Sequence, residues 1–288
     1  MQKEPILKLI DVSKFFNKRM ILKKINLSLY KGDSIAVVGN NGAGKSTLLN
    51  IIAGLCGVSE GQRTTNKTNG KEISVGYVHD QFPKTKLTPM EYLSYMGRIA
   101  GIPKLEVRRR VVDLSTKLHI RESLETEMMY FSKGMIQKIN IIQALIKKPD
   151  ILLLDEPLSG LDISSQLDFI RIVNEVKNQG VIIILTSHET FIINAIANRI
   201  INLNYGEIIS EEKVIPSFYT SEDFVEIRYS HTDLKNSEMQ YFFNLYEEFE
   251  GNEYRVIVEN SLKDQLLLDI LTKGGSIHQV NSANLLGE

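Results

Sequence analysis

The sequence predicts an α/β fold, because segments of strand character alternate with segments of helical character along most of its 288 residues. Residues 33–38 form a short apolar run that ends at a cluster of glycines, and residues 46–53 continue with helical periodicity. Residues 151–154 and 181–185 are continuously apolar, which is typical of strands buried on both faces of a parallel sheet. A predicted helix over residues 164–178 supplies the crossover that such a pair requires.

Segments on either side of this core extend the predicted architecture. Residues 6–10 and 24–29 alternate apolar and polar side chains, which predicts two antiparallel strands before the glycine cluster. Residues 87–145 place apolar residues at helical spacing and are divided by prolines, which predicts a group of helices. We therefore expect a first domain over residues 1–210, with a helical subdomain at about 83–145.

The pattern changes after residue 204. Three runs there predict strands, at residues 224–229, 254–258 and 276–280. Two helices are predicted, near residues 235–249 and near residues 261–273. The first of them ends in an amphipathic stretch of aromatic and acidic residues. We expect these segments to form a small C-terminal α/β domain over residues 211–288, with either a regulatory or a packing role.

Composition limits the classes of protein to consider. The hydrophobic fraction is 43%, and 34 basic residues against 35 acidic residues give a formal charge of −1, so we expect no nucleic-acid partner. The single cysteine, Cys56, and an N-terminus without the apolar stretch of a secretion signal favour a reducing cytosol. Apolar runs stay far below the roughly 20 residues of a membrane helix. We therefore expect a chain that does not cross a membrane by itself.

The glycine cluster carries the most specific chemical signal. It fits the phosphate-binding pattern G-x-x-x-x-G-K-[ST] between a strand and a helix. Its residues are Gly39, Asn40, Asn41, Gly42, Ala43, Gly44, Lys45, Ser46 and Thr47. Glycines let successive backbone N–H groups approach phosphate oxygens, and the helix N-terminus adds positive potential at the same place. We expect a nucleoside triphosphate here, with Lys45 on the β- and γ-phosphates and the Ser46 hydroxyl on Mg²⁺.

Two carboxylates follow the strand at residues 151–154. Asp155 and Glu156 would project from the carboxyl edge of a central strand, where open α/β sheets bind ligands. In an ATPase the first carboxylate would hold Mg²⁺, and the second would be the general base that polarises the attacking water. Asp155 and Glu156 are thus the predicted metal and catalytic residues.

Five further matches, in order along the chain, resemble the ATP-binding cassette (ABC) ATPases over residues 5–210. Residues 131–135 resemble the L-S-G-G-Q signature of that family, from which Lys133 and Met135 depart. The remaining motifs are matched by Phe16, Gln81, Asp162 and His188. The resemblance implies a mixed central sheet with an antiparallel β subdomain and a helical subdomain.

The resemblance also implies a role for each matched residue. Gln81 would contact Mg²⁺ and the attacking water, and His188 would hold the γ-phosphate. Phe16 would stack on adenine, although the sequence leaves open whether its neighbour Phe15 does so instead. Ser132 and Gly134, in the signature, would serve the nucleotide bound by a second copy of the domain. Asp162, in the loop that follows Glu156, is a further expected nucleotide-binding residue.

On this resemblance we expect a cytosolic ATP-binding and hydrolysing subunit, peripheral on the inner face of the cell membrane. It would work as a homodimer or with a paralogous ATPase subunit beneath separate membrane permease subunits, and similarity to ABC-2 type exporters of drugs, antimicrobial peptides or lipids favours export. Candidate residues for coupling to the permease are Phe82, Leu87, Tyr92 and Tyr95. The alternatives are a soluble ABC ATPase that remodels ribosomes or DNA and a catalytically silent regulator.

Overall fold

The computed structural model describes most of the chain. The described residues are 4–66, 72–214, 224–230, 245–249 and 253–282. Two compact units are formed by Met1–Leu161 with Asp168–Ser217, and by Asp162–Leu167 with Phe218–Glu288. Our division of the chain at residue 210 stays a prediction.

Residues 4–214 contain two sheets and the helices that surround them. The strands are β1 (Leu7–Phe16), β2 (Arg19–Leu29), β3 (Ser34–Val38), β4 (Glu60–Thr65), β5 (Val75–Val78), β6 (Ile151–Asp155), β7 (Ile182–Thr186), β8 (Arg199–Asn204) and β9 (Glu207–Lys213). The helices are α1 (Lys45–Ala53), α2 (Pro89–Ile99), α3 (Lys104–Lys117), α4 (Lys133–Leu145), α5 (Ile163–Asn178) and α6 (Thr190–Ile196).

The central sheet is mixed. Its strand order is β5-β6-β7-β3-β8-β9, and every neighbouring pair is parallel except β8 and β9. All residues of β6 and β7 are buried, which confirms the interpretation of their apolar runs. The parallel strands place the carboxyl ends of β3, β6 and β7 at one edge, where the glycine-rich loop and the Asp155 carboxylate lie.

The second sheet is antiparallel, with the order β2-β1-β4, as the alternating pattern predicts. Apolar side chains of β1 and β2 join those of α1 and one face of the central sheet in a single core. Helix α1 has four buried residues, Leu48, Leu49, Ile51 and Ile52, within that core. Burial of α1 between two sheets fixes the position of the loop that precedes it.

Local sequence signals set the ends of the helices in the 83–145 region. Thr88 and Glu91 form a reciprocal capping box at the start of α2, with Pro89 at the first helical position. Ser132 caps α4 through a hydrogen bond to its side chain from the backbone N–H of Met135, at 3.2 Å. Three helices thus follow β5, as the periodicity predicts.

The second unit contains a four-stranded antiparallel sheet. Its strands are β10 (Phe224–Ser230), β11 (Leu245–Phe249), β12 (Glu253–Glu259) and β13 (Ser276–Ser282), in the order β11-β12-β10-β13. Helix α7 (Lys263–Thr272) buries Leu266 and Ile270 in the core that this sheet forms. The three strands predicted from the sequence and the helix near residues 261–273 are confirmed.

The helix predicted near residues 235–249 is wrong in its last part. Leu245–Phe249 form strand β11, and the rest of that segment lies outside the described residues. Leu245 pairs with Ile257 and Phe249 with Glu253 across β12. Tyr246 and Phe249 are residue types that favour strands, and the edge of β12 offers backbone hydrogen bonds that favour the strand.

Candidate active site

The glycine-rich loop turns sharply between β3 and α1, and three glycines make that turn possible. Gly39, Gly42 and Gly44 have φ angles of 152°, 80° and 106°. A Cβ atom at Gly39 would lie 2.0 Å from the carbonyl oxygen of Leu203, and one at Gly44 would lie 2.8 Å from the Leu22 side chain. The chain therefore requires glycine at Gly39 and Gly44 for packing as well as for backbone conformation.

The loop places a lysine and a helix N-terminus at the same point. The Lys45 ammonium group donates to the carbonyl oxygens of Gly39, at 2.7 Å, and Asn40, at 3.4 Å. No side chain caps α1, since its N-cap is Gly44. Uncapped backbone N–H groups and the positive end of the helix dipole suit an anion such as phosphate.

Asp155, at the end of β6, is buried and held by two hydroxyl groups. Thr186 donates to Asp155 Oδ1 at 2.6 Å, and the Tyr77 side chain forms a second hydrogen bond to the carboxylate. Burial and the Asp155 charge raise the pKa of Tyr77, so this hydroxyl keeps its proton and acts as a donor. The Tyr77 ring stacks on His79, with centroids 3.8 Å apart.

Glu156 faces a histidine, which in turn contacts an asparagine of the glycine-rich loop. His188 Nε2 lies 3.4 Å from Glu156 Oε1 and 3.2 Å from Asn41 Oδ1. Glu156 has a φ of 46°, a strained conformation for a residue with a side chain, which aims its carboxylate at the loop. Burial raises the pKa of Glu156, while the nearby His188 and Lys45 partly oppose that shift. A carboxylate with a raised pKa is a stronger base.

A partly buried acid, Glu189, follows the histidine and was missed by sequence reasoning. Its Oε2 atom is buried and has no hydrogen-bond partner within the described part of the chain. Burial, and to a smaller extent the Glu156 charge, raise the pKa of Glu189 to about 7. Glu189 therefore adds a titratable group beside the Glu156–His188 pair.

These groups line one open cavity of about 600 Å³. The predicted residues that line it are Phe16, Asn41, Gly42, Gly44, Lys45, Ser46, Thr47, Asp155, Glu156 and His188. Phe16, and not Phe15, lies on its wall, half exposed and with the Lys14 ammonium group 4.8 Å from its ring centre. Arg19 and Ile21 also line the cavity, although no motif pointed to them.

Gln81 is not among the cavity-lining residues, and the preceding residue, Asp80, is. Strand β5 ends at Val78, three residues before Gln81, and the Gln81 side chain is exposed. The assignment of Gln81 to Mg²⁺ and the attacking water stays a prediction.

The signature residues lie at the start of α4 and do not line the cavity. A Cβ atom at Gly134 would lie 2.3 Å from the Gly160 carbonyl oxygen, so this glycine packs closely on the loop after Glu156. The Lys133 ammonium group donates to the Ser159 hydroxyl at 2.5 Å. Asp162 accepts a hydrogen bond from the backbone N–H of Ser165 at the start of α5, at 2.8 Å. None of the three predicted signature-side residues, Ser132, Gly134 and Asp162, joins the cavity within one chain.

Comparison with known proteins identifies the family. The family model described as ABC transporter matches residues 22–159. The chain is 33% identical to the ABC transporter ATP-binding protein NatA of Bacillus subtilis (strain 168) over 77% of this chain and 94% of that protein. It is 29% identical to the zinc import ATP-binding protein ZnuC of Mannheimia succiniciproducens, over 70% of this chain and 74% of that protein. It is 32% identical to the linearmycin resistance ATP-binding protein LnrL of Bacillus subtilis (strain 168), over 69% of this chain and 67% of that protein.

Solved structures show the same architecture. An ATP-binding subunit of an ABC transporter superposes with a TM-score of 0.67 at 26% identity, covering 73% of this chain and 90% of that one. A dimeric ATP-binding cassette in a post-hydrolysis state, bound to ADP and Pi, superposes with a TM-score of 0.63 at 25% identity. The superposition covers 72% of this chain and 98% of that one. The chain belongs to the family of ABC transporter ATP-binding proteins and is an ATPase of that family.

Proposed function

We propose that this ATPase powers export through separate membrane permease subunits, with ATP bound in the cavity behind the glycine-rich loop. The observation that carries the proposal is the convergence of Lys45, Asn41, Glu156 and His188 on that cavity from three separate elements. Glu156 is the general base, and His188 positions the γ-phosphate and Glu156 together. Asp80 also lies on the wall of this cavity.

The residues around Asp155 fit Mg²⁺. The Ser46 hydroxyl and the Asp155 carboxylate are hard oxygen donors in the same cavity, and two hydroxyl groups orient that carboxylate. A bound Mg²⁺ ion would neutralise charge on the β- and γ-phosphates during transfer. Ser46, Gln81 and Asp155 are the residues that we propose to hold it, and Asp80 lies on the wall of the same cavity.

The active form is a dimer in which each copy completes the site of the other. Ser132 and Gly134 lie at the start of α4, where the Ser132 side chain caps the helix, and neither lines the cavity of its own chain. A second copy, either identical or paralogous, would present these two residues to the γ-phosphate. The relative with ADP and Pi bound is itself dimeric, which supports the proposal.

The permease docks on a groove formed by the end of α1, β5, α2 and α4. The groove has a volume of about 250 Å³, and Leu55 and Ile99 on its rim are 67% and 80% exposed. Of the four coupling residues expected from the sequence, Phe82 and Tyr92 pack edge to face, and Tyr92 donates to Gln143. Tyr95 is exposed near this groove. Tyr77 and His79 line the groove and also lie near Asp155, so the same two residues would adjoin the docked permease and the proposed metal ligand.

Export, at the inner face of the cell membrane, is the direction and place that we propose. The similarity to LnrL, a resistance protein, supports export, whereas the similarity to ZnuC would favour import. None of the helices in the described ranges is long and apolar enough to span a bilayer. The net charge of −1 supports a permease partner over a nucleic acid.

The replacement Glu156→Gln tests the assigned base. The amide keeps the size of the side chain and cannot accept a proton, so we expect ATP binding to persist while steady-state hydrolysis falls at least about a hundredfold. Glu122→Gln, at an exposed position of a short helix after α3, is the matched control and should hydrolyse ATP as the wild type does. Hydrolysis by Glu156→Gln at the control rate would refute the role of Glu156.

A further inference from the structure

The tip of the helical hairpin formed by α2 and α3 exposes large apolar side chains. Helix α2 ends at Ile99 and α3 begins at Lys104, and Ile99 and Leu105 are 80% and 84% exposed. A Cβ atom at Gly97 would lie 2.3 Å from the Val107 side chain, so the two helices approach closely beside the turn. Both apolar side chains therefore stand at the same end of a compact hairpin, where they cost free energy in water.

Basic side chains surround these apolar residues. Arg98, Lys104, Arg108 and Arg109 are all exposed, and none of them has an ion pair among the described residues. The neighbouring acid of this tip, Glu106, is already paired with Arg110. The tip thus has four cations outside the ion pairs of the described residues, next to two exposed aliphatic side chains, and the Glu106 charge acts on one of the four, Arg109.

The spacing shows that this is an outward face of α3. Leu105, Arg108 and Arg109 are three and four residues apart and share one side of the helix. The buried residues Val107 and Val111 lie on the opposite side. The long stems of arginine side chains can extend along an apolar surface while their guanidinium groups stay among anions.

We propose that this tip, defined as Arg98, Ile99, Lys104, Leu105, Arg108 and Arg109, binds the surface of an anionic phospholipid bilayer. Leu105 and Ile99 would enter the boundary between headgroups and acyl chains, and the four cations would contact lipid phosphates. Ile99 also lines the groove proposed for the permease, so the tip adjoins that groove. The contact goes beyond the transport role, because it needs neither ATP nor a permease.

The charges set the expected size of the effect. Each lysine or arginine near an anionic membrane surface adds about 1 kcal/mol, or about fivefold in partitioning. Salt screens this attraction within a Debye length of about 8 Å at physiological ionic strength. Binding should therefore require anionic lipid and weaken steeply as salt is added.

The experiment is sedimentation of the full chain with phospholipid vesicles. We expect the wild type to bind vesicles made of equal parts phosphatidylcholine and phosphatidylglycerol, and to bind vesicles of phosphatidylcholine alone far more weakly. The tip variant Leu105→Gln, Arg108→Gln, Arg109→Gln should partition into the anionic vesicles about twentyfold less than the wild type. Circular dichroism and ATP hydrolysis of the variant report that the fold is intact.

A matched control removes the same kinds of side chain elsewhere in the first unit. Lys8→Gln, Lys24→Gln, Ile209→Gln deletes two exposed cations and one exposed aliphatic side chain, and it should bind anionic vesicles within about twofold of the wild type. Equal binding by the tip variant and the control would overturn the proposal, as would equal binding to both vesicle types. If the wild type does not bind vesicles and the tip variant does not co-purify with the permease, the tip is a protein-docking surface and the lipid proposal is wrong.

Discussion

At the scale of single residues, the chemistry of the site depends on groups that hold Asp155 and Glu156 in place. The Thr186 hydroxyl and the Tyr77 side chain both hydrogen-bond to Asp155, and His188 contacts Glu156 and Asn41. A carboxylate held by two donors loses little freedom when it binds a cation. Tyr77 is thus a positioning residue for the proposed metal ligand.

The replacement Tyr77→Phe removes one hydrogen-bond donor from Asp155 and keeps the ring that stacks on His79. We expect it to raise the Mg²⁺ concentration that gives half-maximal ATP hydrolysis by about tenfold. Tyr92→Phe is the matched control, since it deletes a hydroxyl that donates to Gln143 in the helical region. We expect the control to keep the wild-type Mg²⁺ dependence. A Tyr77→Phe variant with the same Mg²⁺ dependence as the control would show that Tyr77 does not position Asp155.

Glu189 should make the free energy of unfolding depend on pH. Its pKa of about 7 in the fold lies above the ordinary value of 4.5, so the unfolded chain ionises it first. The folded state therefore loses stability as pH rises from about 4.5 to about 7, by about 2 kcal/mol. Glu189→Gln should lose less stability over that range, measured by denaturant unfolding at several pH values. If Glu189→Gln lost as much stability as the control Glu122→Gln between about pH 4.5 and pH 7, Glu189 would not have a raised pKa in the fold.

At the scale of elements, structural features that depend on a short stretch of sequence could be predicted. Features that depend on contacts with residues far away in the sequence could not. The glycine-rich loop and the run from β6 into Glu156 each lie within one short segment, and the structure has them as predicted. The position of Asp80 on the cavity wall depends on where β5 ends beside β6. Strand β11 depends on the free edge of β12, which no local pattern shows.

The start of α4 offers a test at this scale, since Ser132 is both a helix cap and a proposed contact to the second copy. Ser132→Ala removes a cap hydrogen bond and should lower the free energy of unfolding by about 1 kcal/mol. Thr88→Ala removes the equivalent bond from α2 and should cost a similar amount. Only Ser132→Ala should also reduce ATP hydrolysis, since only that helix would reach a neighbouring site. Equal hydrolysis by both variants would contradict the contact.

At the scale of the whole molecule, the two parts of the proposed nucleotide site do not meet within one chain. The cavity holds the loop, the two carboxylates and His188, while Ser132 and Gly134 start a helix outside it. A dimer related by twofold symmetry brings each half-site to the complementary half of its partner. ATP would then lie between two copies and stabilise their association.

The most direct test is sedimentation velocity of the Glu156→Gln variant with and without ATP. Because this variant should bind ATP and hydrolyse it very slowly, we expect a monomer without nucleotide and a dimer when ATP is present. Ser132→Ala in the same variant should weaken that dimer. A Glu156→Gln chain that binds ATP and stays monomeric at every protein concentration tested would contradict the shared site.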